Sequence, residues 1–427
     1  MAGIPPMRAL RFTRYLPNYG YKPVVLTVEN GYYPITGKDE TLLQFIPDNL
    51  EIHRVKNKSI TLKFFQLIEN IMKKRRDGKN LSRQEIDNAR SHSSMFRLLF
   101  NLKREYIFFP DMRCGWIKPA VKKGHKIIEN IKNVKLIYAC GDPWSVLIAG
   151  MKLKQKTGLP LVIDLRDPWA IDMANFRDST KNKLWEAMVF SSADRIILAT
   201  DNMFDEYKKV YPVKIISKMR VVKNGSDPYI MGKVKESKRN DDKFRFVYAG
   251  RTRQITENLL IALGRLKQDN DDILSQMEFH FYGWTTPDLI QSSKNRGLQE
   301  TIKFFKPIST IESISAQKSA DILLLIIQPS PTAKQVLTGK IFEYIAVGKP
   351  ILALAPSESE ASRLIMDNNL GYVVNPNNID GIAQTLLDLY DLWKKKKIHN
   401  RPTDTGITGR FDGKTLTEEL ARIFDEI

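Results

Sequence analysis

The stretch ADILLLIIQPSPTAKQVLTGKIFEYIAVGKPILALAP, Ala320 to Pro356, reads in turn as strand, polar loop, helix and strand. Ala320 to Ile327 is short, rich in Ile and Leu, and continuous rather than alternating, as a parallel strand covered on both faces should be. A helix is predicted to begin near Thr338, with that residue as its N-cap. Gly348 and Pro350 end it and open the next strand, Lys349 to Ala355. Two buried strands joined through a helix form a βαβ unit and imply a parallel sheet.

The same pattern extends in both directions. Phe244 to Gly250, Met277 to Gly283, Thr301 to Phe305 and Gly371 to Val374 complete one series of candidate strands. An earlier series comprises Pro23 to Val28, Val134 to Cys140, Pro160 to Leu165, Asp194 to Thr200 and Met219 to Gly225, with helical patterns at Pro143 to Lys156 and Lys181 to Ser192. The polar run Gly232 to Lys243 separates the two. The economical architecture is α/β: two doubly wound, Rossmann-like domains facing a central cleft, at residues 1–225 and 226–427. Pro6 to Leu16 has a helical pattern closed by Pro17 to Gly20. In a doubly wound domain a first strand feeds a glycine-containing turn into the first helix. Here the chain starts inside that turn, so about 10 to 20 residues bearing a first strand are expected upstream.

The helix start after Ala320 to Ile327 carries chemistry. The backbone N–H groups of Thr338 and Gly339 lie at its positive end, a site for a diphosphate. Lys340 adds a mobile positive charge, and Glu343 shares its face three residues on. A carboxylate there can accept two hydrogen bonds from a ribose diol. Taken alone, the segment reads better as a surface Lys–Glu pair on a capped helix.

GKIFEYIAVGKPILALA resembles the donor-site segment of family 4 glycosyltransferases of the GT-B fold. Three further stretches match that family in order and spacing: PPMRALRFTRYLPNYGYKPVVLT, its first helix and second strand; LPLVIDLRDPW, Leu159 to Trp169; and VVKNGSDP, Val221 to Pro228. The resemblance implies a transferase moving a sugar from a nucleotide-sugar, UDP-linked as the first expectation, to a lipid-linked or polysaccharide acceptor. It further implies retention of anomeric configuration. No metal or other cofactor is expected, because the one Asp-x-Asp pattern in an acidic loop, Asp269 to Asp271, reads as a solvated turn between a helix and the strand Met277 to Gly283.

Residue by residue, the resemblance makes Glu343 the carboxylate for the donor ribose, and Lys340 and Arg251 the holders of the diphosphate, with Arg253 as a substitute for Arg251. Thr338 and Gly339 supply backbone donors. Gly3, Arg166 and Asp167 fall on the acceptor side, Asp167 as a catalytic candidate with Glu343. A carboxylate tied to local backbone N–H groups near Pro168 is an equal reading of Asp167. The sequence departs from the family at Gln335, where a second glutamate is common and where the amide stays a donor-binding candidate for sugar hydroxyls without stabilising positive charge, and at Thr256, where a phosphate-binding lysine is common.

The chain has 427 residues, with 67 Lys and Arg against 48 Asp and Glu, a formal charge of +19. Its length suits two or three domains, and 42% hydrophobic and 10% aromatic residues exclude wholesale disorder. Cys114 and Cys140 alone make neither a disulfide scaffold nor a cysteine-based zinc site. No GxxxxGK[ST], HExxH or GxSxG pattern is present. No stretch approaches the ~18 apolar residues of a spanning helix. Residues 54 to 126 hold 19 Lys and Arg against 6 Asp and Glu, interleaved with the apolar runs Ile60 to Arg76 and Met95 to Pro110. That combination suits an anionic membrane surface better than nucleic acid; a solvated rim around an ordinary core is the plain alternative. The expectation is a cytoplasmic enzyme, peripheral at the inner face of the membrane, in bacterial-type surface polysaccharide or glycolipid synthesis. Two other readings stay open, a sugar-nucleotide epimerase and a GT-B scaffold without turnover.

Overall fold

The computed structural model describes residues 4–29, 39–57, 109–111, 113–171, 180–252, 256–328, 337–398 and 405–427. The chain forms two compact units. One comprises Tyr21–Ile35, Asn49–Val222 and Leu420–Ile427; the other comprises Met1–Gly20, Thr36–Asp48 and Lys223–Glu419.

In the first unit, β1 (Val24–Val28) pairs in parallel with β2 (Glu51–Val55). Strands β3 (Ile137–Gly141), β4 (Leu161–Leu165), β5 (Arg195–Leu198) and β6 (Met219–Val221) form a parallel sheet in that order. Every residue of β4 is buried, which is why its sequence does not alternate. Trp144 and Trp169 stack with ring centroids 5.6 Å apart in the core beside it. β2 escaped the sequence reading: Glu51, His53 and Arg54 break its apolar run, and its side chains are only half-buried.

In the second unit, six parallel strands are β7 (Phe244–Ala249), β8 (Met277–Tyr282), β9 (Ile302–Phe305), β10 (Ile322–Ile326), β11 (Ile351–Leu354) and β12 (Gly371–Val374). Their order is β12-β11-β10-β7-β8-β9. The chain therefore runs outward from β7 through β8 to β9, then returns to the other side of β7 with β10. The resulting switch point lies between β7 and β10, and crevices for ligands open outside the carboxyl ends of such strands. Cross-strand partners Phe246 and Phe279 stack at 4.4 Å and anchor the register of the core.

The helix Ile4–Tyr15, expected with residues 1–225, belongs instead to this second unit. Its side chains explain why. Arg8 donates to the Lys223 carbonyl at 2.9 Å, and Arg11 donates to the Gly225 carbonyl at 2.6 Å. Arg14 meets Asp227 at 3.3 Å, and the Tyr15 hydroxyl donates to Asp227 at 2.9 Å. Arg8 and Arg11 are both fully buried. Moving those guanidinium groups away from their oxygen partners would strand buried charge, so the helix is tied to residues 223–227.

Gly225 is required there by space. A Cβ on it would lie 2.1 Å from the Phe411 carbonyl oxygen and 2.4 Å from Leu416 Cδ1, while the Ser226 N–H donates to that same carbonyl at 3.0 Å. Gly225→Ala is therefore expected to destabilise this unit by about 2 kcal/mol or more in urea unfolding. Gly232→Ala, in the helix Pro228–Lys233 with no atom within 4 Å of its Cβ position, should be neutral or stabilising by up to ~1 kcal/mol. Equal midpoints for the two variants would contradict this assignment.

Candidate active site

The carboxyl ends of β7 and β8 come unusually close. A Cβ on Gly283 would fall 2.1 Å from the Gly250 carbonyl oxygen, and Gly283 and Gly250 have φ of 146° and 147°. Both space and backbone conformation demand glycine at these two positions. The Gly250 N–H donates to the Tyr282 carbonyl at 2.7 Å, and the Thr252 N–H to the Trp284 carbonyl at 3.0 Å, so the ladder continues past the strands.

Lys340 closes over this pair of turns. Its ammonium lies 3.0 Å from the Tyr248 hydroxyl and 4.2 Å from the centre of the Tyr248 ring. A Cβ on Gly250 would sit 2.2 Å from Lys340 Nζ, so the lysine head occupies the space that glycine leaves. The Tyr248 hydroxyl donates in turn to the Arg251 carbonyl at 2.8 Å, fixing the turn that bears Arg251. The Arg251 residue itself is exposed.

Lys340 belongs to the helix Gly339–Val347, whose buried face is Gly339, Ile341, Phe342, Tyr344 and Ile345. The Tyr344 hydroxyl donates to the Leu324 carbonyl at 3.1 Å, fastening the helix to β10. Thr338 takes the N-cap position with extended backbone, as expected, but its side chain makes no capping bond. Its Oγ1 is buried without a hydrogen-bond partner among the described residues. The first turn of the helix thus has no side-chain cap, and its N–H groups remain a positive end.

Glu343 lies one turn further on and accepts a hydrogen bond from Gln317 Nε2 at 3.2 Å. Burial pushes its carboxyl above the usual glutamate range, against the opposing effects of the Gln317 hydrogen bond and the Lys340 charge. Gly339 and Glu343 line a narrow cavity together with Arg8, Arg11 and Asp227. Tyr248, Gln317, Arg8 and Arg11 were not singled out from sequence. Their proximity depends on long-range contacts that no local motif records.

Among the other expected residues, Gly3, Arg253 and Gln335 lie outside the described residues, as do the runs Ile60 to Arg76 and Met95 to Phe108. Thr256 is fully buried at the start of the helix Thr256–Asp269 and contributes to the core. Arg166 and Asp167 belong to the first unit, just past β4. Arg166 donates to the Gly141 carbonyl at 2.8 Å and also to that of Asp142, while Asp167 is exposed.

The rest of the Arg-Asp-Pro-Trp element is structural. Trp169 is fully buried, and its N–H bonds the Tyr207 hydroxyl at 3.1 Å. The next N–H, of Ala170, donates to the buried Glu186 at 2.8 Å. Glu186 also accepts from Tyr207 and Tyr211, each at 2.9 Å. Of the described histidines, each has a carboxylate neighbour: His53 at 2.6 Å from Glu51, His125 at 3.3 Å from Glu129, and His280 at 2.8 Å from Glu278. Among the described residues no group of three or more His, Cys, Asp or Glu is placed to hold a metal ion, and no helix is long and apolar enough to cross a membrane.

Residues 243–391 match the family model described as Glycosyl transferases group 1. No curated protein matches the chain in sequence. Among solved structures, the chain is similar to HepE of Anabaena in complex with UDP-glucose, with a TM-score of 0.62 and 14% identity over 98% of this chain and 95% of that one. It is also similar to a glycosyltransferase from Rickettsia africae, with a TM-score of 0.59 and 13% identity over 98% and 93% of the two chains. Sucrose-phosphate synthase of Thermosynechococcus elongatus aligns at a TM-score of 0.52 and 12% identity over 73% and 77%. These likenesses establish the α/β fold of parallel, Rossmann-like units that GT-B glycosyltransferases share. The stretch that carries Gly250, Gly283, Lys340 and Glu343 is accordingly the part of the chain that matches the model of Glycosyl transferases group 1.

Proposed function

We propose that the protein is a nucleotide-sugar-dependent glycosyltransferase whose donor binds at the carboxyl ends of β7 and β10. The observation that carries this reading is the Lys340 ammonium, seated on Tyr248 above Gly250 at a helix start without a side-chain cap, with Glu343 three residues on. The helix end, Lys340 and Arg251 take the diphosphate, and the Glu343 carboxylate accepts from the ribose hydroxyls. When the glycosidic bond to the diphosphate breaks, negative charge grows on the leaving phosphate oxygen. Fixed positive groups stabilise that charge without reorganising. UDP is the first nucleotide to test, since the Anabaena HepE structure holds UDP-glucose.

Transfer proceeds with retention and without a metal ion, the positive charge coming from the side chains and the helix end. Asp167 lies on the acceptor side. The acceptor is lipid-linked or a growing polysaccharide, and the basic region 54–126 brings the enzyme to anionic lipid. The setting is then the cytoplasmic face of a membrane.

Lys340→Met should weaken a nucleoside diphosphate roughly ten- to a hundredfold and the corresponding nucleoside little, read by calorimetry. An equal loss for both would remove Lys340 from the phosphates. Glu343 supplies a pH test. The ribose needs the ionised carboxylate as acceptor, so donor affinity should rise as pH rises through the raised Glu343 pKa and then level off. In the ligand-free protein the folded carboxyl holds its proton more tightly than the unfolded one. Its contribution to stability is therefore lost as pH climbs from the ordinary glutamate value to the raised one. Glu343→Gln should flatten both profiles; a surviving pH dependence of binding would assign it to another group.

Liposome flotation checks the membrane reading. The protein should float with vesicles containing anionic lipid at low salt and be released by high salt. Absence of binding to anionic vesicles at every salt concentration would reduce the 54–126 charge to a solvated rim.

A further inference from the structure

Glu343 is held from behind. Gln317, on the helix Thr310–Lys318, is fully buried, and its side-chain nitrogen donates to Glu343 Oε2 at 3.2 Å and to Ser313 Oγ at 3.0 Å. An ionised carboxylate only accepts hydrogen bonds, so the amide nitrogen must face it. The amide oxygen, Oε1, is then left buried with no hydrogen-bond partner among the described residues. A leucine would fill the same volume without leaving a buried carbonyl unmet, so packing alone does not account for glutamine here.

The helix that carries Gln317 is itself fixed at its start. Ser309 and Glu312 form a reciprocal capping box, and the Thr310 N–H donates to Asp39 Oδ2 at 2.6 Å. Glu343 Oε1, by contrast, makes no hydrogen bond among the described residues, and Glu343 lines the cavity with Gly339.

We propose that Gln317 is a positioning residue: its amide holds one carboxylate oxygen of Glu343 so that the other is presented to the ribose hydroxyls of the bound nucleoside diphosphate. The inference rests on the reading of Glu343 given above. The amide acts in two ways. It selects one rotamer of Glu343, and it favours the ionised form, working against the burial that raises this carboxyl.

The test measures calorimetric affinities of wild type, Gln317→Leu and Gln317→Glu for UDP, GDP and ADP, each beside its 2′,3′-dideoxy analogue, with thermal melting as the check on folding. Wild type should prefer the ribose form of its nucleotide. Gln317→Leu should shrink that preference about tenfold, leave the dideoxy affinity unchanged, and move the pH midpoint of ribose-dependent binding upward. If the leucine variant does not fold, Gln317→Glu, close in size, places a second carboxylate beside Glu343 and should raise the same midpoint further. A full ribose preference with an unmoved midpoint in the folded variant overturns the positioning role while leaving Glu343 in place. Equal loss of both nucleotide forms also overturns it, by showing that Gln317 only packs. A wild type that binds the ribose and dideoxy forms of its nucleotide equally instead removes Glu343 from the ribose and this proposal with it.

Discussion

The approach of two strand ends, Gly250 after β7 and Gly283 after β8, is the constraint on which the candidate site depends. Their backbones come so close that a single added carbon would lie 2.1 Å from a carbonyl oxygen. Because the turns fold down without side chains, Lys340 can reach across from the next crossover and rest on Tyr248. The lysine's position is thus determined by two glycines, Gly250 and Gly283, that precede its helix Gly339–Val347 in the chain and are brought together by the pairing of β7 with β8. The fold supplies the rest. The reversal of strand order between β7 and β10 opens the crevice in which that helix begins.

A second constraint acts on the same unit. Four side chains of the helix Ile4–Tyr15 grip residues 223–227 through carbonyl oxygens and Asp227, with Arg8 and Arg11 wholly removed from water. Charges buried in this way stabilise little on balance but are costly to separate from their partners. They act as a latch, setting which part of the chain this helix packs with. The Asn-Gly-Ser-Asp run is then explained by packing: Gly225 makes room for Phe411, and Asp227 takes Arg14 and Tyr15.

The strands were legible because burial on both faces leaves a continuous apolar run, and eleven segments chosen on that basis contain strands. β2 was not, because EIHRV is half-exposed and carries charge at three of its five positions when His53 is protonated. The crossover helix, Lys340 and Glu343 followed from the chain's own grammar and from the family resemblance. What that grammar could not give was the company these residues keep. Tyr248 meets Lys340 across 92 residues, and Arg8 meets the Lys223 carbonyl across 215. Thr338 shows the limit in miniature: its backbone is that of an N-cap, while its hydroxyl makes no capping bond. Asp167 and Trp169 show another, since one motif combines an exposed carboxylate with a tryptophan sealed in the core.

The central claim is that a nucleotide-sugar places its diphosphate at the start of the helix Gly339–Val347. Hydrogen–deuterium exchange with and without UDP-glucose, and with the GDP and ADP sugars in parallel, tests it most directly. A bound donor should slow exchange in peptides covering 337–343 and 248–252 together. Binding that leaves both segments unprotected while protecting others would contradict the account.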